Sequence, residues 1–344
     1  MATIKDVAKL AGVGVGTASR AMSGKGAVSA DAVAKVQAAV QALDFRPSNV
    51  ARALSLKTLG MVGVYVPEFG GSFISRILNA IDAELRAVGR HMVVASGCGQ
   101  GDARQQALEG VEFLVQRECD GILVFSNHLL EADLQALQAR FPRVVLLNRQ
   151  SPVLGERAFY ADHELGGRLA ARALLSQGHR AIATIQGALD APDNAQRMQG
   201  FYAALAQHDI EVKSAHRMDG GFTFASGHAA ATRLLKRKDR SFTAVFCAND
   251  VMAMAAISRF TQAGLKVPQD VSVIGYDDTD VATYTAPPLT TVHMPIAELG
   301  AQSCRHLLNL CYGLELEVQR DFAPLVVWRE SVGPGPHFSS SFVK

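Results

Sequence analysis

The chain has 344 residues, 49% hydrophobic and 19% charged, a composition that supplies real cores, excludes general disorder and exceeds one ordinary domain. Its formal net charge of +2 is unevenly spread: residues 1–60 hold eight Lys or Arg and three acids, the remainder 26 bases and 29 acids. A basic module on a mildly acidic body is expected when only one end of a protein meets a polyanion.

The first residues carry Lys5, Asp6 and Lys9 and lack the uninterrupted apolar stretch of a secretory leader, and no run of about 18 apolar residues could span a bilayer. The five cysteines, Cys98, Cys119, Cys247, Cys304 and Cys311, are scattered, odd in number and without a CxxC pair. That pattern predicts reduced thiols, no disulfide frame and no metal site, in a cytoplasmic protein with no membrane partner.

Residues 3–10 (TIKDVAKL) predict a short amphipathic helix with Thr3 as N-cap and Asp6 at its third position. A glycine-bearing break, Ala11-Gly12-Val13-Gly14, leads into a second helix from Val15 to Met22, and Ser29 caps a third that runs to about Leu43. Two short helices joined by a tight glycine turn and braced by a third predict a helix-turn-helix unit. Gly12-Val13-Gly14-Val15-Gly16 imitates a dinucleotide loop, but a helix rather than a strand precedes it and Thr17 stands where the third glycine belongs; no cofactor is expected. In a helix-turn-helix the second helix enters the major groove by its N-terminal end. Val15, Gly16 and Arg20 then face base edges, Arg20 suiting guanine and Val15 a thymine methyl, while Thr17 and Ser19 offer hydroxyls to phosphates.

Pro47 ends this unit, and 48–56 (SNVARALSL) holds helix formers over only about two turns, marginal for a free helix. From Gly60 onward strand-length apolar runs alternate with amphipathic segments: 61–66, 92–96, 121–125 and 143–148, then 181–186, 243–247 and 271–276. Two such series predict buried parallel strands in two doubly wound α/β lobes with a cleft between them.

The run Thr3 to Ala8, Ala11-Gly12-Val13, Thr17 to Arg20, Val28-Ser29 and Leu43 to Ser48 resembles the DNA-binding head of LacI/GalR-family regulators. Landmarks of the same family continue to about residue 330: Gly178-His179, Arg197-x-x-Gly200-Phe201, Ala248-Asn249-Asp250, Gly275 to Asp278 and Pro288 to Val292. The resemblance implies an all-α helix-turn-helix DNA-binding head (1–46), a hinge helix and linker (47–59), and a periplasmic-binding-protein-like α/β body (60–330) of two doubly wound parallel sheets. Lobe one is about 60–160 with 291–319, lobe two about 161–290 with 320–330, and 331–344 is read as a flexible tail. It also implies that the hinge helix forms on operator DNA, with Leu54 wedged into the minor groove and Ala51 beside it. Where the family carries Ser or Thr to cap the recognition helix, this chain has Gly14.

By the same resemblance, Arg197, Asn249 and Asp277 hydrogen-bond a sugar-like effector and Phe222 stacks on it; Phe73, at the start of the first long helix of the body, and Asp162, which opens a helix near the lobe crossover, are read from their positions as lining the cleft. Thr3, Val15, Gly16, Thr17, Ser19, Arg20, Ala51 and Leu54 are assigned to DNA. Asp277-Asp278 is not read as a catalytic pair, because neighbours on a strand end point apart, and no hydrolase, P-loop or HExxH motif is present; no enzyme activity is expected. The expected protein is a homodimeric repressor of pseudo-palindromic operator DNA whose affinity a sugar or sugar derivative controls. The alternative is an exported-type sugar-binding protein without DNA function.

Overall fold

The computed structural model describes residues 2–23, 27–45, 58–97, 101–239 and 241–336. The chain divides into two compact units, Met1–Gly60 and Met61–Lys344.

The first unit holds α1 (Ile4–Ala11), α2 (Val15–Ser23) and α3 (Ala30–Ala42). Its helices start where side chains satisfy the free N–H groups of a first turn. Thr3 and Asp6 form a capping box on α1, and the Ser29 hydroxyl accepts from the Ala32 amide on α3. α1 stops because Gly12 turns left-handed at φ 66°, sending its N–H back to Ala8 and Lys9. Val7, Ala8, Ala11, Ala18, Val36 and Ala39 make a small buried core.

The second unit opens with β1 (Met61–Val66), α4 (Ser72–Ala87), β2 (His91–Ser96), α5 (Ala103–Gln116), β3 (Gly121–Phe125), α6 (Glu131–Arg140), β4 (Val144–Leu147) and β5 (Ala158–Phe159). These strands form a parallel sheet in the order β2-β1-β3-β4-β5. Neighbouring residues alternate between two cores: Val62, Val64, Leu123 and Val145 face one, Tyr65, Ile122, Val124 and Val144 the other. Both faces are therefore covered, which is why these strands read as continuous apolar runs.

The chain then crosses to a second lobe: α7 (His163–Ser176), β6 (Ile182–Gln186), α8 (Pro192–Ala206), β7 (Arg217–Asp219), α9 (Phe224–Lys236), β8 (Ala244–Cys247), α10 (Asp250–Gln262) and β9 (Ser272–Ile274). Its sheet is parallel in the order β7-β6-β8-β9. β10 (Thr291–His293) and β11 (Leu325–Val327) pair antiparallel. Between them α11 (Ile296–Tyr312) returns to the first lobe, where Arg305 pairs bidentately with Glu84 of α4 at 2.8 Å. Strand order reverses beside β1 in the first sheet and beside β6 in the second, so the loops after β1, β3, β6 and β8 bound the crevice where such folds take ligands.

Two expectations need revision. Ser331 is fully buried, its hydroxyl receiving the Thr290 amide and donating to the Val273 carbonyl, and the Gly335 amide reaches the Gln177 carbonyl. Residues 331–335 are thus bound to the second lobe rather than a free tail. β5, β7, β10 and β11 were not anticipated; at two or three residues each they leave no periodic trace. No helix among the described residues is long and apolar enough to cross a membrane.

Candidate nucleic-acid interface and effector cleft

α2 turns Ala18 into the core of the first unit and leaves Val15, Gly16, Ser19 and Arg20 exposed, with Thr17 half-buried. The Gly14 carbonyl accepts from Thr17 and Ala18 at 2.9 and 3.0 Å, so Gly14 opens α2 without a side-chain cap. Five of the residues assigned to DNA therefore share the first two turns of one helix. Thr3 lies at the start of α1, its hydroxyl 2.7 Å from an Asp6 oxygen that also accepts the Thr3 amide at 2.8 Å; these bonds hold the Asp6 carboxyl below its ordinary range. Ala51 and Leu54 lie outside the described residues.

In the second unit Arg197 projects from α8 and is 2% exposed. Its guanidinium donates to the Ala248 carbonyl, lies 3.4 Å from Asp193 one turn earlier on α8, and sits 3.8 Å from the Tyr276 ring centroid and 5.7 Å from that of Phe222. Its Nε is buried with no hydrogen-bond partner among the described residues. Asp277 is 7% exposed, and burial raises its carboxyl well above the ordinary range, against the pull of Arg197. Phe222 packs its ring on Gly187, where a Cβ would approach to 2.0 Å.

Both Phe222 (φ 63°) and Asp277 (φ 107°) occupy the left-handed region, a local cost that the surroundings must enforce. For Phe222 the enforcement is visible: its carbonyl accepts from Asn249 Nδ2 at 3.0 Å. Asn249 also receives the Met252 amide as N-cap of α10, so both ends of its amide are engaged within the protein. Asp162 caps α7 through the Leu165 amide and is otherwise exposed. Phe73, on the first turn of α4, stands 6.1 Å from Phe125 in the first lobe. Arg197, Phe222, Asn249 and Asp277 are thus gathered at one site, while the contacts of Asp162 and Phe73 are with the start of α7 and with Phe125.

Strand alternation does not separate Asp277 from Asp278, because both have positive φ, at 107° and 53°. They are separated by their partners. Asp278 is paired with Arg329 at 2.7 Å and His293 at 3.0 Å, which keep its carboxyl low against burial, and its carbonyl accepts from Arg76 of the first lobe at 2.8 Å. Asp250 is fully buried and accepts from the Thr279 amide and hydroxyl and the Thr291 hydroxyl at 2.7, 3.0 and 2.6 Å.

Sequence reasoning missed His163, Tyr276, Asp193 and Asn148. Asp193 sits four residues before Arg197, a spacing that puts both on one helix face and was legible. Asn127 of the first lobe donates to Asp193 of the second at 3.2 Å; Asn148 and His163 likewise meet only through the fold, at 3.1 Å.

An exposed helix-turn-helix face, joined to a body whose two α/β lobes meet at Arg197, Asp193 and Asn127, defines the class of DNA-binding regulators with an effector-binding body. Residues 3–48 match the family model described as bacterial regulatory proteins, lacI family, and 171–332 match the periplasmic binding protein-like domain. The chain is 34% identical to the HTH-type transcriptional regulator GalR of Escherichia coli K12 over 333 residues, 96% of each protein. A LacI-family transcriptional regulator from Burkholderia phymatum superimposes with a TM-score of 0.76 at 47% identity, over 80% of this chain and 99% of that one. The lac repressor dimer bound to operator and the anti-inducer ONPF gives 0.84 at 28% identity, over 96% and 99%. The chain belongs to the LacI family. The matched DNA-binding module sets aside the reading as a binding protein without DNA function.

Proposed function

We propose that the chain is a cytoplasmic repressor that pairs as a homodimer on pseudo-palindromic duplex DNA and whose grip is set by an uncharged sugar held between the lobes. Val15, Gly16 and Arg20 read base edges, Thr3, Thr17 and Ser19 hold the backbone, and Leu54 with Ala51 forms the minor-groove wedge. Arg197 and Asp277 take sugar hydroxyls, Phe222 covers an apolar sugar face, Asn249 keeps Phe222 in its strained conformation, and Phe73 and Asp162 line the margins. The observation that carries this reading is the buried Arg197, with Asp193 3.4 Å from its guanidinium, an Nε without a partner among the described residues, and beside it the Asp277 carboxyl, whose charge burial disfavours. A guanidinium paired with one carboxylate, beside a carboxyl that burial favours in its neutral form, suits neutral hydroxyls, which accept from the one and receive from the other. The effector binds one lobe arrangement better than the other, and this difference is all it can contribute to the shift in DNA affinity.

The test is a thermal-shift screen of D-ribose, D-galactose, D-glucose and cellobiose against ribose 5-phosphate, glucose 6-phosphate and hypoxanthine. A neutral sugar at 100-fold its Kd stabilises the folded state by about 2.7 kcal/mol and changes the electrophoretic retardation of a duplex selected by the protein from a random pool. Stabilisation by the phosphates or the purine alone contradicts the sugar assignment. Failure to retard any duplex in dilute salt contradicts the DNA function.

A further inference from the structure

His163 stands on the first turn of α7, 2% exposed, at the joint between the lobes. Its Nδ1 lies 3.2 Å from the Tyr276 hydroxyl and 3.4 Å from Arg197 Nη2; its Nε2 lies 3.1 Å from Asn148 Oδ1, just past β4 in the first lobe. These contacts fix a tautomer. A guanidinium only donates, so Nδ1 must accept, and Nε2 then carries the hydrogen and needs an acceptor. The Asn148 oxygen supplies it, which turns Asn148 Nδ2 away, buried without a partner among the described residues.

Charge supports the same state. Burial and the Arg197 cation push the imidazole down to about 4, against weaker opposing pulls from Asp193 and Asp162, so it is neutral across the physiological range. The approach of Tyr276 depends on Gly166, where a Cβ would lie 2.2 Å from the Tyr276 oxygen.

We propose that His163 is a positioning residue that ties the effector-facing Arg197 to the first lobe through one directed hydrogen-bond chain, Tyr276 and Arg197 donating to its Nδ1 and its Nε2 donating to Asn148. This rests on Arg197 being an effector residue. When a ligand oxygen draws the guanidinium, Nδ1 loses a donor, and the change reaches Asn148 through the ring. Asn148 Nδ2 and Arg197 Nε, both buried N–H groups without partners among the described residues, are on opposite ends of this chain, so a ligand with acceptor oxygens for both would clasp the two lobes.

The experiment is two-bond 1H–15N correlation on the full-length chain with 15N-histidine, the His163 signal among ten histidines being assigned by its loss in His163→Gln and checked by its shift in Asn148→Leu. The expected result is a neutral Nε2–H tautomer that does not titrate between pH 5.5 and 8. Its Nδ1 resonance moves in Arg197→Lys and its Nε2 proton exchanges faster in Asn148→Leu. A Nδ1–H tautomer, titration in that range, or a resonance indifferent to both variants overturns the chain. Function is read with D-ribose, D-galactose, D-glucose and cellobiose applied together, at concentrations that saturate the rise in Tm of each protein: His163→Asn loses at least fivefold of the sugar-induced change in DNA affinity. An undiminished change in DNA affinity refutes the coupling role. If none of the sugars raises the Tm of the wild-type protein, the effector reading has failed, and the nitrogen spectra still decide the hydrogen-bond chain.

Discussion

The Arg197 guanidinium lies 3.8 Å from the centroid of the Tyr276 ring, and the same Tyr276 hydroxyl is 3.2 Å from His163. Stacking on a desolvated ring contributes about 2 kcal/mol and holds the planar fork face-on, so its edges remain for Ala248, Asp193 and a ligand. Lysine cannot reproduce a stacked fork. Arg197→Lys is expected to abolish the sugar-induced rise in Tm and to cost about 1–3 kcal/mol, the penalty of buried acceptors left unpaired. Urea unfolding followed by the single tryptophan, Trp328, 48% exposed, measures the second term; full retention of the sugar response would remove Arg197 from the site.

Asp250 carries a pH dependence of definite sign. Burial, outweighing its three hydrogen bonds, raises its carboxyl to about 6. Below pH 4 it is protonated in both folded and unfolded chains. Between pH 4 and about 6 the unfolded chain gives up the proton while the folded one keeps it, so stability falls as pH rises. A carboxyl held at about 6 in the folded chain loses about 3 kcal/mol of stability across this window. Unfolding free energies at pH 4, 5, 6 and 7 for wild type and Asp250→Asn should diverge by this amount; parallel curves would mean that Asp250 ionises normally.

Arg20→Ala addresses base reading. Arg20 is exposed on the second turn of α2, with Ala18 anchoring the opposite face. Loss of a bidentate base contact costs about 1–3 kcal/mol on the selected duplex and relaxes choice at one position. Fluorescence anisotropy on matched and singly substituted duplexes reads both effects, and an unchanged preference assigns base reading to other residues.

What was legible in the sequence follows its periodicity. The head was readable because Thr3, Asp6, Gly12 and Ser29 signal helix ends locally, while Val7 and Ala8 of α1 and Val36 and Ala39 of α3 face one core. The long strands were readable because both sheet faces are covered. The cleft was only half legible: Arg197 and Asp277 came from family landmarks, whereas His163 and Asn148 acquire meaning only when two lobes bring positions fifteen residues apart to 3.1 Å. The positive φ values at Phe222 and Asp277 were invisible for the same reason, being imposed by contacts such as Asn249 to Phe222 and not by the residue's own preference.

Gly14→Ser tests the one departure of the head from its family. Gly14 is absent from the positive-φ glycines, and a Cβ there meets nothing within 4 Å, so serine fits. Its hydroxyl would take an amide of the first turn of α2, stabilising the head by a few tenths of a kcal/mol over glycine. Amide exchange in residues 15–20 should slow accordingly; faster exchange would show that Gly14 does not occupy the cap position.

Gly167→Ala probes the packing that sets Arg197 in place. α7 and α8 cross at two glycines: a Cβ on Gly167 would lie 1.9 Å from the Arg197 carbonyl oxygen, and one on Gly200 1.9 Å from that of Glu164. Neither glycine has positive φ, so the obstacle is backbone packing and not conformation. In an open helix, glycine to alanine gains about 1 kcal/mol; here the added methyl must push two helices apart, and overpacking of that kind costs about 1–3 kcal/mol. The displaced backbone carries Arg197 with it, so Gly167→Ala should lose both stability and the sugar-induced rise in Tm, while Gly14→Ser leaves the sugar response intact. Because α7 also bears His163, the His163 nitrogen resonances should shift in the same variant. A Gly167→Ala protein as stable as wild type, with those resonances unmoved, would mean that α7 and α8 do not meet at this glycine pair.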